Sequence, residues 1–240
     1  MPVTRFDIQP IADLRSAVRA LASGAVDGPE GWSISDVDPM AVLEVFSSGL
    51  RLRGGFELIA YRFRASGNGN GVVWAVPAGA KGTGGELPAA GAGSLPAPPR
   101  PRGALDDFMD AIEGDGSAWS HLLASLFARE AAELGALWHG VSWGAQTILG
   151  TSPDRDGPHC VGDVMFESTG PWYWTEECPC DWRPSVEQDG GGGAVVEFFT
   201  HDPVGRETIR LNTDQFTRPT SMSFDRQSRH IGDGGGGIVF

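Results

Sequence analysis

The sequence predicts an α+β fold that has mainly antiparallel sheet, four helices and a β-rich C-terminal half. Three observations support this class. Apolar residues recur at helical spacing in several segments before residue 135, they alternate with period two in most segments after it, and glycine-rich turns precede several strands. Consecutive strands joined by short turns pair antiparallel, whereas a parallel sheet needs a long connection between its strands.

The composition indicates a folded chain with a loop-rich part. The 240 residues suffice for one large domain or two small ones, and they include eight tryptophans and twelve phenylalanines. This apolar content argues against general disorder. The 35 glycines and 17 prolines, in contrast, approach the level of low-complexity sequence, so we expect some segments without regular structure.

The charge pattern excludes several classes of partner. Seventeen arginines and a single lysine, Lys81, stand against 31 acidic residues, and the net charge of −13 would repel nucleic acid. No apolar run reaches the length of a membrane span, and the N-terminus lacks the apolar core of a signal peptide. With three cysteines and no disulfide framework, we expect a cytoplasmic protein with reduced thiols. The arginine bias suggests a bacterial genome of high GC content.

The N-terminal part predicts two helices and a hairpin. Apolar residues at helical spacing predict a helix over 9–24. Asp38 followed by Pro39 is typical of an N-cap and a first helical residue, so a second helix is expected over 38–48. Alternating residues over 50–64 and 72–76, separated by a glycine-asparagine turn, predict a hairpin.

Residues 79–103 contain no aromatic side chain and are rich in glycine and proline, so we interpret them as a linker between 1–78 and 104–240. The flanking parts form two units or share one domain. After the linker, helices are expected over 104–113 and 117–134, where Gly135 ends the second.

The C-terminal half predicts consecutive strands. They are expected over 137–145, 163–167, 172–176, 194–201, 207–212 and 221–225. The turn Asp202-Pro-Val-Gly205 should join two of them as a hairpin. Glycine-rich segments at 67–71, 190–193 and 234–237 are interpreted as hairpin turns.

Some residues suggest nucleophilic catalysis. Gly140-Val-Ser142-Trp-Gly144 matches the G-x-S-x-G nucleophile elbow, and Asp202 or Asp214 and then His230 follow it in the Ser-Asp-His order. His139, next to the motif, is a further candidate base. Cys178 paired with a histidine such as His201 is a second candidate, because a thiolate needs a nearby base. An elbow should lie between a strand and a helix, whereas consecutive strands are expected here. The competing interpretation is a strand with small residues beside bulky tryptophans.

A metal site is the next hypothesis. His159, Cys160, Cys178 and Cys180 are ligand types that zinc accepts. Adjacent residues of a strand point to opposite faces, however, so His159 and Cys160 would not both bind one ion. We expect no cofactor, and zinc is the metal that these ligands would suit. Otherwise the cysteines are small, partly buried thiols.

The first hairpin concentrates positive charge in an acidic chain. Its arginines could hold a carboxylate or phosphate by bidentate contacts. The alternative is a solvated face whose arginines pair with nearby acids. The residues are Arg51, Arg53, Arg62 and Arg64.

Tryptophans crowd an acidic stretch near residue 175. Trp172 and Trp174 share a face if the segment is a strand, and Trp182 follows close by. We interpret the three as a ligand platform bordered by acidic side chains, with burial in a core as the alternative. The function expected is therefore a non-catalytic binding protein that presents an aromatic-acidic surface to a protein or small molecule. The alternative is a hydrolase or transferase with a serine or cysteine nucleophile and a histidine base.

Overall fold

The computed structural model describes residues 2–22, 30–65, 68–80, 97–134, 143–153, 158–161, 164–167, 172–217 and 221–237. In chain order the helices and strands are β1 Val3–Arg5, α1 Ile8–Ala22, β2 Gly31–Ile34, α2 Pro39–Val45, β3 Leu50–Leu52, β4 Phe56–Ala65, β5 Asn68–Pro77, β6 Ile112–Gly114, α3 Ala118–Ala132, β7 Thr147–Ile148, β8 Pro158–Val161, β9 Val164–Glu167, β10 Tyr173–Trp174, β11 Ser185–Gln188, β12 Ala194–Asp202, β13 Thr208–Phe216 and β14 Asp225–Asp233.

The combination of helices with antiparallel sheets confirms the α+β class. The described residues form three α-helices, not four. Within them, no helix is long and apolar enough to cross a membrane.

The chain divides into two compact units. One comprises Met1–Ala12, Gly140–Thr217 and Phe224–Phe240, and the other comprises Asp13–His139 and Arg218–Ser223. The grouping follows strand pairing instead of chain order, because β3 pairs with β6 across the segment predicted as a linker. The domain boundaries at 78 and 103 stay a prediction.

The first unit is built on a seven-stranded sheet. Its strands run in the order β1-β11-β12-β13-β14-β10, β7 adds to β12, and all pairs are antiparallel. The long β12–β13 hairpin turns at the predicted Asp202–Gly205 segment. Strands β8 and β9 form a separate two-stranded sheet. Phe198 and Ile209 are fully buried in this unit.

The second unit packs helices on a small sheet. Strands β2, β4 and β5 form it, α2 packs against β4, and α3 packs against β5. The predicted N-cap of α2 is confirmed, since the Asp38 carboxylate accepts the Met40 amide at 2.9 Å. In the core, Phe127 of α3 contacts Phe46 with ring centroids 5.5 Å apart. Because residues 58–63 of β4 are all buried, both faces of the sheet are covered.

The helix predicted over 104–113 is wrong. Only Phe108–Ala111 form a short 3-10 turn, capped by Asp107, and β6 follows at once. The apolar spacing there serves a turn and a strand, because Ile112 pairs with Leu52.

Two predicted strands need correction. Trp143–Ala145 is a 3-10 turn, while residues 135–142 lie outside the described part. The last strand begins at Asp225, because the residues before it are held by other bonds: the Met222 amide donates to Ile112 O at 3.2 Å, and Ser223 donates to Asp110 at 2.9 Å.

The end of the predicted linker is packed. Residues 97–103 lie along β5, where the Trp74 indole N–H donates to Pro99 O at 2.8 Å and the Arg100 guanidinium lies 5.1 Å from the Trp74 ring centroid. A cation over an aromatic face and a satisfied indole stabilise this contact. Residues 81–96 lie outside the described part.

The start of α3 generates a prediction about pH. Ser117 caps the helix by accepting the Ser120 amide at 3.1 Å, and the Asp115 carboxylate accepts the Ser117 amide at 2.9 Å. The Ser117 side-chain hydrogen bond lowers the pKa of Asp115 below its ordinary value of 3.8. A carboxylate with a depressed folded-state pKa stabilises the fold above its ordinary pKa, and this contribution is lost as pH falls through the folded value.

Asp115→Asn should therefore unfold at lower urea concentration than the wild type at about pH 6, and the difference should shrink towards about pH 3. Urea midpoints from far-UV circular dichroism measure this. Asp225→Asn, at another exposed carboxylate, is the control. An Asp115→Asn difference that is unchanged between the two pH values contradicts the assignment.

Candidate functional site

The three tryptophans predicted as a platform form a stack inside the first unit. The Trp172 and Trp174 rings are stacked with centroids 6.0 Å apart, and Trp174 contacts Trp182 at 5.6 Å. Trp182 continues the stack to Phe199 at 4.8 Å. Trp172 and Trp182 are only 7% and 4% exposed, so they belong to a core cluster and not to an open platform. Trp174 alone keeps partial exposure.

The sheet positions this tryptophan stack. Strand β10 pairs with the end of β14, which places Trp174 opposite Gly232. A Cβ atom at Gly232 would lie 2.8 Å from the Trp174 ring, so only glycine lets the indole lie against the strand. Sequence reasoning missed this role, although a lone glycine inside a strand often marks a close approach.

The Trp174–Trp182 contact brings together the ends of a surface segment, residues 175–180, which we call the acidic loop. Glu176 and Glu177 are exposed within it. The Thr175 amide donates to Ile231 O at 3.0 Å and fixes the start of the loop. Tyr173, just before it, is 59% exposed and is the most accessible aromatic residue of this region.

Asp181 fixes the other end of the acidic loop. Its carboxylate accepts the Arg183 amide at 3.1 Å and a guanidinium N–H of the same residue at 2.8 Å. Arg5 of β1 also pairs with it at 2.8 Å. The Arg183 hydrogen bonds hold the pKa of Asp181 well below its usual range. The loop is thus closed by aromatic packing inside and by a charged cluster at its end.

A buried histidine and glutamate lie beneath the stack. His201 and Glu207 are 0% and 2% exposed, and Nε2 of His201 lies 3.1 Å from Oε1 of Glu207. The His201 ring meets Trp172 edge to face at 5.7 Å. The other oxygen of Glu207 accepts the Gly236 amide at 3.1 Å. Such satisfaction is what permits a carboxylate in the interior.

The glycine segment 234–237, predicted as a hairpin turn, packs against Glu207, and residues 238–240, which the turn would lead into, lie outside the described part. It passes over Glu207, and backbone bonds run in both directions: Gly234 N donates to Glu207 O at 2.9 Å, and Glu207 N donates to Gly236 O at 3.0 Å. A Cβ atom at Gly234 would lie 2.5 Å from a carboxylate oxygen of Glu207. Gly234 and Gly237 are therefore required by close packing, which the sequence alone does not distinguish from a turn.

The candidate catalytic residues are not brought together in the described part of the chain. Ser142 and His139 lie outside the described residues. Cys178 is exposed, its thiol contacts the Pro179 carbonyl at 3.8 Å, and burial raises the pKa of the thiol. A nucleophilic cysteine needs the opposite shift. His201 is enclosed and bonded to Glu207.

The four arginines do not form one exposed patch. Arg62 is buried and pairs with Asp36 at 2.8 Å, while Arg51 on β3 pairs with Glu113 at 2.9 Å in a different sheet. Arg53 lies over the Phe56 ring, with 4.6 Å from its guanidinium carbon to the centroid. Arg64 lies on β4 and is half-buried. Pairing with acids, the alternative interpretation, describes Arg51 and Arg62.

The candidate zinc ligands lie in two places. Cys178 and Cys180 are exposed free thiols of the acidic loop, whereas His159 and Cys160 lie in β8, where side chains fall outside the described part. Among the described residues, no group of three or more His, Cys, Asp or Glu side chains is arranged to hold a metal ion. A shallow surface pocket in the second unit includes Arg51 and Glu113 and is otherwise lined by Ser47, Ser48, Gly49, Leu50, Gly114 and Asp115.

Comparisons with family models, with curated proteins and with solved structures find no match to this chain. The acidic loop on its tryptophan stack combines a buried aromatic support with exposed carboxylate and thiol groups.

The close contact between Gly234 and Glu207 can be tested by substitution. Gly234→Ala forces a methyl group against the buried carboxylate and should lower the free energy of unfolding by about 1–3 kcal/mol, the usual cost of overpacking. Gly54→Ala is the matched control, because a Cβ atom there meets nothing within 4 Å. Its effect should stay within about 0.5 kcal/mol. Urea unfolding measures both, and equal losses would contradict the packing role.

Proposed function

We propose that the chain is a non-catalytic binding protein whose acidic loop, together with Tyr173, binds a positively charged partner. The observation that carries the proposal is the Trp174–Trp182 contact, which holds an exposed acidic segment on a buried aromatic support. A surface fixed before binding loses less conformational entropy when it binds.

The charges of the acidic loop favour a cationic partner. Glu176 pairs with Arg229, but both side chains are about half exposed, and such surface pairs contribute little stability. A cation of a partner can therefore replace Arg229 at small cost. Glu177 has no ion pair with another described residue. The net charge of −13 adds a long-range attraction that speeds encounter with basic partners.

Tyr173 supplies the apolar part of the proposed surface. Tyrosine combines a large contact area with a polar end and is enriched where proteins bind one another. In this proposal Tyr173, with the exposed part of Trp174, takes the role first expected of all three tryptophans. Trp172 and Trp182 act as supports because they are buried.

The enzyme hypothesis stays a prediction. It depends on Ser142 and His139, which lie outside the described residues, and on Cys178, whose thiol has a raised pKa. No contact among the described residues favours it over binding.

The proposal is tested with a double variant, Glu176→Gln with Glu177→Gln, and with Tyr173→Ala. The probe is a fluorescein-labelled peptide of lysine, arginine and glycine, and its affinity is measured by fluorescence anisotropy at about 0.15 M salt. Each variant should weaken binding at least about tenfold, since one lost interfacial contact of about 1.4 kcal/mol has that effect.

The matched control is Glu30→Gln with Glu44→Gln, which removes the same charge from exposed positions of the second unit. This control should change the affinity for the peptide less than about twofold, because at this salt concentration exposed charges away from the bound peptide are screened. If the control weakens binding as much as the loop variant, the attraction is a property of the whole acidic surface and the proposed site is wrong. If Tyr173→Ala binds the peptide with unchanged affinity, the proposed contact of Tyr173 with the partner is wrong.

A further inference from the structure

Two thiols of the acidic loop take no part in the proposed contacts with a cationic partner, which are made by Glu176, Glu177 and Tyr173. Cys178 and Cys180 are both exposed and both free, and only Pro179 separates them. The loop that carries them is closed by the Trp174–Trp182 contact. The thiols are therefore presented together from a supported segment, and not from a chain end.

The spacing suits a metal that needs few ligands. Residues two positions apart have Cα atoms no more than about 7 Å apart, so both sulfurs can reach one ion after side-chain rotation. Structural zinc requires four ligands, and the described residues arrange no group of three. Soft thiolates suit Cu(I) as well as zinc and iron–sulfur clusters. Two sulfurs then satisfy a monovalent soft cation for which a tetrahedral site is not needed.

The surrounding charges also favour a cation. Glu177 directly precedes Cys178 and is exposed, and Glu176 forms only a surface pair with Arg229. Asp181, which follows the two cysteines, is already balanced by Arg5 and Arg183 and adds no free negative charge.

We propose that Cys178 and Cys180 form a binding site for a single Cu(I) ion. In the binding step two S–H bonds lose their protons to solvent, two sulfur–copper bonds form, and copper stays in its +1 state. Because protons are released, the affinity falls as the pH is lowered. The site uses the sulfur atoms of the loop, whereas the proposed partner is bound through Glu176, Glu177 and Tyr173.

The test is an anaerobic titration of the full, reduced chain against the Cu(I) complex of a chromogenic chelator, bathocuproine disulfonate. The chain should withdraw one equivalent of Cu(I) from the chelator. The loss of colour of the copper–chelator complex measures this transfer. Cys178→Ser and Cys180→Ser should each lower the affinity at least about 100-fold, whereas Cys160→Ser should change it less than about twofold. Near-UV circular dichroism of the tryptophans checks that each variant keeps its fold.

Several results would overturn the proposal. Failure of the wild type to withdraw copper excludes the site, and so does copper binding that survives both serine substitutions. Loss of copper binding in Cys160→Ser would mean that the site consists of three thiols. If zinc binds with equal stoichiometry and is lost in the same serine variants, the four-ligand zinc hypothesis of the sequence analysis is favoured instead. The serine variants should still bind the basic peptide, so failure of either proposal is distinguishable from failure of the other.

Discussion

The packing of Trp174 between Trp172 and Trp182 is the interaction on which the proposed binding surface depends. It joins the end of the sheet, through β10 and β14, to the segment that enters β11. Large aromatic rings bury much apolar area with few rotatable bonds, so their contact fixes geometry at a modest entropic cost. The acidic loop lies between Trp174 and Trp182, so this contact holds both of its ends in place despite the polar composition of the loop.

A second constraint lies beneath the stack. Glu207 is a carboxylate in the interior, and the fold satisfies it with His201 on one side and the glycine segment 234–237 on the other. Leaving a buried polar group without its hydrogen-bond partner is costly, so this arrangement couples the end of β12 to the segment after β14. Asp202 also shows the cost of burying a carboxyl group, since burial raises its pKa. The glycine content of this chain thus reflects close packing as well as turns.

Much of the fold could be predicted because local signals and tertiary packing agree. The helices α1, α2 and α3 have regular apolar spacing, and Asp38 and Ser117 cap two of them as their residue types favour. The β12–β13 hairpin was predictable from alternation and its turn. The segment 104–113 failed because a short apolar pattern suits a helix or a strand, and pairing of β6 with β3 decided between them.

The sequence by itself determined the α+β class, most of the elements and the acidic charge. It also showed that tryptophans and two cysteines, Cys178 and Cys180, lie near residue 175. Only the tertiary structure decided which aromatic residues are exposed. Trp172 and Trp182 turn inward and Tyr173 outward, because burial depends on what a neighbouring strand covers and not on residue type. It also separated the arginines, since Arg51 and Arg62 joined different sheets and found different acids. Contacts between residues distant in sequence carry no local pattern, and for that reason the site required the fold.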